Sequence, residues 1–120
     1  MKGANAERVT AEAAEAAVGR LREMSADLRG CAVLGHDRQV LAATGGRDRW
    51  APAAGDLLDA ADEAGGEPAS HLHVATEEGE VFAVREEGLA IVAVAERFTL
   101  ASLMIFDMRA VLRDLARESG

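Results

Sequence analysis

The stretch LAIVAVAERF, at residues 89–98, is apolar at every position before Glu96. A continuous apolar run of this kind is typical of a strand that is covered on both faces of its sheet. Such a strand requires other elements to pack on both sides of the sheet. The run therefore predicts a layered α/β domain with helices on both faces and this strand at its centre.

Two shorter strands are predicted just before this run. SHLHVAT (70–76) and VFAVR (81–85) both alternate their residue types with a period of two, as partly buried strands do. The acidic segments EEGE and EEG separate the three strands as turns. In the first strand, His71, His73 and Ala75 share one face.

The segment LASLMIFDMRAVLRDL (100–115) predicts a C-terminal helix with Thr99 as its N-cap. The main apolar stripe of this helix comprises Leu100, Ala101, Met104, Ile105, Met108, Val111, Leu112 and Leu115. Leu103 and Phe106 lie on the opposite side, near Arg113 and Arg117. We expect Phe106 to pack on the alanines of Ala13–Ala17, so that this helix contacts both the sheet and the first helix.

The first half of the chain predicts a helix, a hairpin and a second helix. Residues from about 6 to 28 carry an apolar stripe at helical spacing, and Gly30 is expected to end that helix. GCAVLGHDRQVLAATGG (30–46) has two short apolar runs around a polar turn, which indicates a β-hairpin.

The second predicted helix covers residues 50–64, with Asp48 as a candidate cap and Pro52 in the first turn. Its core stripe comprises Trp50, Ala53, Ala54, Leu57, Ala61 and Ala64. A shoulder beside this stripe comprises Ala51, Gly55, Leu58 and Asp62. Gly55 indicates either the close approach of another backbone or a tolerated helix glycine.

Length and charge narrow the class of protein. The 120 residues fit a single domain, 1–120, in which residues 1–5 are expected to be disordered. A net charge of −8 with scattered Lys and Arg argues against nucleic-acid binding. Neither a leader-like apolar segment nor a run of about 20 apolar residues is visible, so we expect a cytoplasmic protein without membrane insertion.

The reactive residues do not form a recognisable catalytic pattern. His71 and His73 have a spacing that occurs in metal sites, but Cys31 and His36 belong to a different hairpin, so no metal is expected. Cys31 is the only cysteine, which excludes an intrachain disulfide and is typical of a small buried hydrophobe. No phosphate-binding glycine pattern or nucleophile elbow is present, and we expect neither an enzyme nor a cofactor.

The element order helix, two strands, helix, three strands, helix resembles the Roadblock family, the dynein-light-chain type domain, in its bacterial small-GTPase regulator branch. The resemblance rests on CAVLGHDRQVLAATGG and on HLHVATEEGEVFAVREEGLAIVAVAERFTLASLMIFDMRAVLRDL, and it covers nearly the whole chain. It concerns element lengths and apolar positions, because the family has no invariant catalytic residue. The acid-rich second helix and the two histidines of the third strand depart from the family pattern.

The resemblance implies an α/β (α+β) fold in which one helix covers one face of a five-stranded antiparallel sheet and two helices cover the other. It implies a two-fold homodimer formed by the third strand and the second helix, and a role as a non-enzymatic regulator or scaffold of a Ras-like small GTPase. Some bacterial members of the family stimulate GTP hydrolysis, and the sequence leaves open whether this chain does. The expected dimer interface comprises Ala51, Gly55, Leu58, Asp62, His71, His73 and Ala75. Leu103 and Phe106 are candidates for contact with the partner.

Two other functions are compatible with the sequence. Profilin-like, PAS and GAF folds share this outline, and such a small-molecule sensor would enclose a pocket of large apolar and convergent polar residues. The small residues of the expected core count against that function. A metalloenzyme using His71 and His73 would be supported by stoichiometric metal in the purified protein.

Overall fold

A five-stranded antiparallel sheet with helices packed on it forms the domain. The computed structural model describes residues 9–35, 39–45, 50, 56, 58, 59, 63, 70–77, 79–86 and 88–119. The helices are α1 (Ala11–Met24) and α2 (Ala101–Ser119), and the strands are β1 (Leu28–Leu34), β2 (Val40–Ala43), β3 (His71–Ala75), β4 (Glu80–Glu86) and β5 (Leu89–Ala95). Their spatial order is β2-β1-β5-β4-β3. The predicted α+β class is therefore confirmed.

Strand β5 occupies the centre of the sheet, as its apolar sequence predicts. Ile91 and Ala93 belong to the core cluster beneath α1 and α2, whereas Ala90 and Val92 belong to a second cluster on the opposite face. Leu58 joins the second cluster. Residues 50, 56, 58, 59 and 63 have helical backbone, and the rest of the predicted helix 50–64 lies outside the described residues. Both faces of β5 are covered, which explains why the strand has no polar alternation.

Helix α1 ends earlier than the sequence predicts. The Thr10 side chain caps its start by accepting a hydrogen bond from the Ala13 N–H at 3.0 Å, and the helix ends at Met24 instead of near Leu28. Leu28 already pairs with Ala95 in the sheet. The predicted helix stop, Gly30, lies inside β1, where an added Cβ would come within 2.9 Å of the Thr44 hydroxyl oxygen. The contact with Thr44, and not a helix stop, accounts for this glycine.

The start of α2 also differs from the prediction. The Thr99 hydroxyl donates to the Glu96 carbonyl oxygen at 2.6 Å, so Thr99 closes the turn after β5 and does not cap the helix. Phe98 in this turn has a left-handed φ of 65°. The first helical hydrogen bond of α2 runs from the Met104 N–H to the Leu100 carbonyl at 3.0 Å.

The expectation that Phe106 packs on Ala13–Ala17 is wrong. Phe106 is 69% exposed, and Leu103 is 55% exposed. The buried stripe of α2 includes Met108 and Leu112, and Phe106 lies about 200° around the helix axis from Met108. The helices α1 and α2 do contact each other, but through other residues, including an Arg20–Asp114 ion pair at 2.6 Å. Neither described helix combines the length and the apolar character that a bilayer crossing requires.

Candidate interaction surfaces

Strand β3 forms an edge of the sheet, and among the described residues only β4 pairs with it. The Thr76 N–H donates to the Gly79 carbonyl at 2.8 Å, and the Arg85 N–H donates to the Ser70 carbonyl at 2.8 Å. Both bonds fit the single register of β3 with β4, in which hydrogen-bonded pairs alternate with non-bonded pairs. The backbone N–H and C=O groups of His71, His73 and Ala75 therefore point away from β4. These groups give another strand three residues to pair with.

The side chain of His73 is held in place by two residues of β4. Its ring stacks on Phe82 with the centroids 4.5 Å apart, and its Nε2 lies 2.5 Å from Glu80 Oε1. Glu80 is one of the few buried charged residues of the described chain. An Nε2–H that donates to this carboxylate satisfies the buried acid, because a buried charge is costly without a partner. His73 is therefore ordered at the strand edge and not free to rotate.

His71, two residues earlier, is exposed and has a weaker contact with its neighbour. Its Nδ1 lies 3.4 Å from the Ser70 hydroxyl oxygen. Within the described residues, no three His, Cys, Asp or Glu side chains come together in a way that could hold a metal ion. Because His73 is engaged with Glu80, the structure brings the two histidines to one strand face without joining them in a common site.

On the opposite face of the sheet, Leu58 is buried and not exposed as the sequence predicts. Leu58, expected on an exposed shoulder, is 3% exposed and packs in the core cluster that also contains Ala83 and Val92. Its carbonyl accepts a hydrogen bond from the Arg85 guanidinium at 3.2 Å. Trp50 of the predicted core stripe packs against the same cluster, so the buried face of this segment includes Leu58 of the shoulder as well as Trp50. The other shoulder residues, Ala51, Gly55 and Asp62, lie outside the described residues.

A second surface consists of exposed apolar side chains around the start of α2. Leu103 and Phe106 are exposed there, as are Phe98, Leu100 and Met24. The sequence predicts Leu100 and Met24 in buried stripes, and both predictions are wrong, because the two side chains are 64% and 45% exposed. Met24 is the last residue of α1 and Leu100 precedes the first residue of α2, so neighbouring turns do not cover them. Met24, Leu100 and Leu103 line one hollow, and a contiguous exposed apolar patch often marks a binding surface.

Ion pairs fix α2 between α1 and β4. Arg113 and Arg109 both reach Glu86, at 3.2 Å and 3.8 Å from its carboxylate oxygens. On the other side, the hydrogen bond and charge of Arg20 hold the pKa of Asp114 below its usual value. These exposed pairs contribute little stability individually, but they connect both sides of the helix to neighbouring elements. The apolar surface at the start of α2 is thus held in one orientation.

The only cysteine is not a reactive group. Cys31 is buried in β1, and burial raises the pKa of its thiol to about 11, although the charge of Arg22 acts in the opposite direction. The thiolate is the nucleophilic form of cysteine, so this side chain remains an unreactive thiol at neutral pH. The structure places it as the sequence predicts, as a small buried hydrophobe.

Comparison with known proteins identifies the fold. No protein-family model matches the chain, and no curated protein matches its sequence. A solved Roadblock/LC7 domain from Streptomyces avermitilis has a TM-score of 0.75 at 17% identity, covering 87% of this chain and 95% of that domain.

Two further solved structures have the same fold. The gliding protein MglB from Thermus thermophilus has a TM-score of 0.72 at 15% identity, with coverage of 90% and 89%. An MglB with a tetrameric arrangement has a TM-score of 0.69 at 17% identity, with coverage of 90% and 93%. At these identities the likeness concerns the fold alone, and it confirms that this chain has a Roadblock-type fold.

Proposed function

We propose that this chain, whose fold is of the Roadblock type, is a homodimeric, non-enzymatic regulator or scaffold for a Ras-like small GTPase in the bacterial cytoplasm. The observation that carries the proposal is the open edge of β3, with the backbone groups of His71, His73 and Ala75 directed outward. The likeness to MglB, including a form with a tetrameric arrangement, supports self-association and a regulatory role.

In the proposed dimer, β3 pairs antiparallel with β3 of a second copy. A two-fold axis at His73 places the residue opposite its own copy and pairs His71 of one protomer with Ala75 of the other. This register uses all the outward-directed groups and leaves the bonds between β3 and β4 intact. A shift of one residue would bring the N–H and C=O groups that already bond to β4 to the interface.

The second half of the proposed interface is the segment around residues 50–64. Ala51 and Gly55 are small enough for close approach to their copies, and Asp62 is placed at the rim, where solvent screens like charges. Leu58 supports this segment from below, because it is buried against the sheet of its own chain. A strand and a helix from each protomer can supply the roughly 1,200–2,000 Å² of a stable interface.

The partner is proposed to contact the exposed side of α2, which presents Leu103 and Phe106. A regulator without catalytic groups acts by binding one conformation of its partner more tightly than another. Within the described chain, no cluster of metal-ligating residues is formed and the cysteine is buried and protonated.

The alternative, a small-molecule sensor, has less support. Ligand pockets usually enclose about 300–1,000 Å³. Two surface hollows among the described residues measure about 200 Å³, beside Arg29 and Thr44, and about 100 Å³, beside Leu100 and Asp107. Both are small and open to solvent. The sensor would become the better explanation if a ligand co-purified with the protein and mapped between sheet and helix.

The proposal is tested with the Ras-like GTPases of the source organism, each purified and loaded with GTP or GDP. Binding and phosphate release are measured with the wild-type protein, with Ala75→Pro as a monomeric variant, and with Ala75→Gly as a control that keeps the outward N–H. We expect one GTPase to bind in a nucleotide-dependent manner to the wild type and the control, and more weakly to Ala75→Pro. If none of the GTPases binds, the GTPase proposal is wrong.

A further inference from the structure

A hollow of about 100 Å³ lies where the end of α1 meets the start of α2. Exposed apolar side chains of Met24, Leu100 and Leu103 form part of its wall, and Asp107 and Asp27 contribute the acidic part. The hollow therefore combines a large apolar rim with carboxylates, and no basic side chain of the described residues lines it.

Asp107 is the unusual member of this set. It is 8% exposed, and among the described residues no side chain or backbone N–H forms a hydrogen bond or ion pair with its carboxylate. Burial raises its pKa, with no opposing contribution from a nearby cation. No side-chain oxygen of the described residues is both fully buried and without a hydrogen-bond partner, so the Asp107 oxygens are in contact with solvent in the hollow. The other buried acid, Glu80, is paired with His73, so Asp107 is an unmatched acceptor that faces an opening.

We propose that this hollow is a docking site for a segment of another protein that inserts a lysine or arginine towards Asp107 and packs large apolar side chains on Met24, Leu100 and Leu103. A cationic side chain supplies the donor and the charge that Asp107 lacks. Its aliphatic stem contacts the apolar wall while its head reaches the carboxylate. The flanking apolar residues of the partner cover side chains that are otherwise exposed to water.

The charges make a second copy of this chain a poor occupant. A two-fold contact across the hollow would bring Asp27 and Asp107 towards their own copies, and like charges repel. Arg97, the cation in the turn before α2, has its guanidinium 4.9 Å from the centre of the Phe98 ring. With a net charge of −8, the protein also attracts a basic partner over a longer range.

The site does not depend on the proposed dimer or on a GTPase. It lies beside the start of β1 and the end of β5, and β4 separates β5 from the β3 edge. A segment can therefore occupy the hollow while β3 is paired. The inference adds a second type of partner contact to the proposed function. Leu103 belongs to both surfaces, whereas Asp107 belongs to the hollow alone, so Asp107→Asn tests the hollow without altering the proposed GTPase contact.

The test uses a phage-displayed library of random dodecapeptides, selected on the full wild-type chain. We expect the enriched peptides to contain a lysine or arginine next to large apolar residues. Binding of these peptides should weaken about tenfold or more in Asp107→Asn, because a hydrogen bond to a charged group is lost. Leu103→Ser should weaken binding as well, since it removes part of the apolar wall.

Glu12→Gln is the matched control, because it removes an exposed carboxylate at the other end of α1. Its peptide affinity should equal that of the wild type, and melting curves of all variants exclude loss of folding. The inference is overturned if the enriched peptides bind Asp107→Asn with unchanged affinity, or if they carry no cation. It is also overturned if Leu103→Ser converts a dimer to a monomer in sedimentation, which would make a second copy the occupant.

Discussion

The imidazole of His73 lies parallel to the ring of Phe82, with an angle of 3° between the planes and 4.5 Å between the centroids. The two residues face each other in a pair of β3 and β4 that is not hydrogen-bonded, where side chains come closest. The Glu80 carboxylate then fixes the rotation of the ring within its plane. The edge strand thus carries an ordered imidazole next to backbone groups that point away from β4.

Ala75→Pro should give a monomer that keeps its fold. The Ala75 N–H points away from β4, so proline removes an intermolecular donor and no bond of the protomer's own sheet. Val74→Pro should instead destabilise the protomer, because the Val74 N–H points towards β4 and Val81. Light scattering and circular dichroism of both variants, with Ala75→Gly as the control, separate the two effects. A dimeric Ala75→Pro would exclude β3 pairing.

The exposure of Phe106 changes the expected cost of its removal. A core phenylalanine costs about 3–5 kcal/mol when truncated to alanine. Because this ring is exposed, Phe106→Ala should change the free energy of unfolding by less than about 0.5 kcal/mol. Urea denaturation measures the change. Phe82→Ala, which removes a fully buried ring, is the control and should show the large loss.

Asp107→Asn should stabilise the protein at neutral pH. Burial raises the folded-state pKa of Asp107 above its unfolded value, so its contribution to stability is present below the unfolded pKa and is lost as the pH rises through the folded pKa. The neutral amide of Asp107→Asn does not lose this stability at neutral pH. The difference in Tm between the variant and the wild type should shrink as the pH is lowered towards about 3. Thermal melts over a series of pH values measure this.

Asp114→Asn is the control for Asp107→Asn, because it should change Tm at pH 7 in the opposite direction. Arg20 holds the pKa of Asp114 below its unfolded value, so its stabilisation is present above the unfolded pKa and disappears as the pH falls through the folded pKa. This variant should lower Tm at pH 7 and approach the wild type in acid. If Asp107→Asn does not raise Tm at pH 7, Asp107 does not carry a desolvation penalty.

Cys31 should react with a thiol reagent only when the domain unfolds. Its side chain is inaccessible, and burial raises the thiol pKa to about 11. Labelling by a chromogenic disulfide at pH 7.5 should therefore follow the unfolding transition in urea, and not precede it. Cys31→Ser should cost about 1–3 kcal/mol, since it buries a hydroxyl in an apolar site. Rapid labelling without denaturant would contradict the burial.

The apolar run of β5 was sufficient to predict the layered fold, because only a central strand has both faces covered. Helix ends were harder to predict. Leu28 fits the apolar spacing of a helix end as well as the start of a strand. Its pairing with Ala95 makes it the first residue of β1, and the local sequence does not reveal that pairing. Phe106 was misplaced because its bulk suggested burial, while the orientation of α2 is set by Met108 and Leu112.

The candidate sites depended on contacts between distant residues. His73 meets Glu80 only in the observed register of β3 and β4. The sequence of the acidic turn between the two strands does not fix that register. Asp107 did leave a signal, since it stands among Met104, Met108 and Val111 at the spacing of the buried stripe. A charged residue within an apolar stripe is the pattern that could have identified it.

The two edges of the sheet have different consequences for growth of the assembly. Pairing of β3 with β2 of the next molecule would repeat without limit and produce a fibre. Pairing of β3 with its own copy closes instead, and the joined sheet then ends in β2 on both sides. At four residues, and beside a register shift between Val33 and Leu34, β2 is a poor template for another strand. Pairing of β3 with its own copy therefore both forms the dimer and prevents further growth of the sheet.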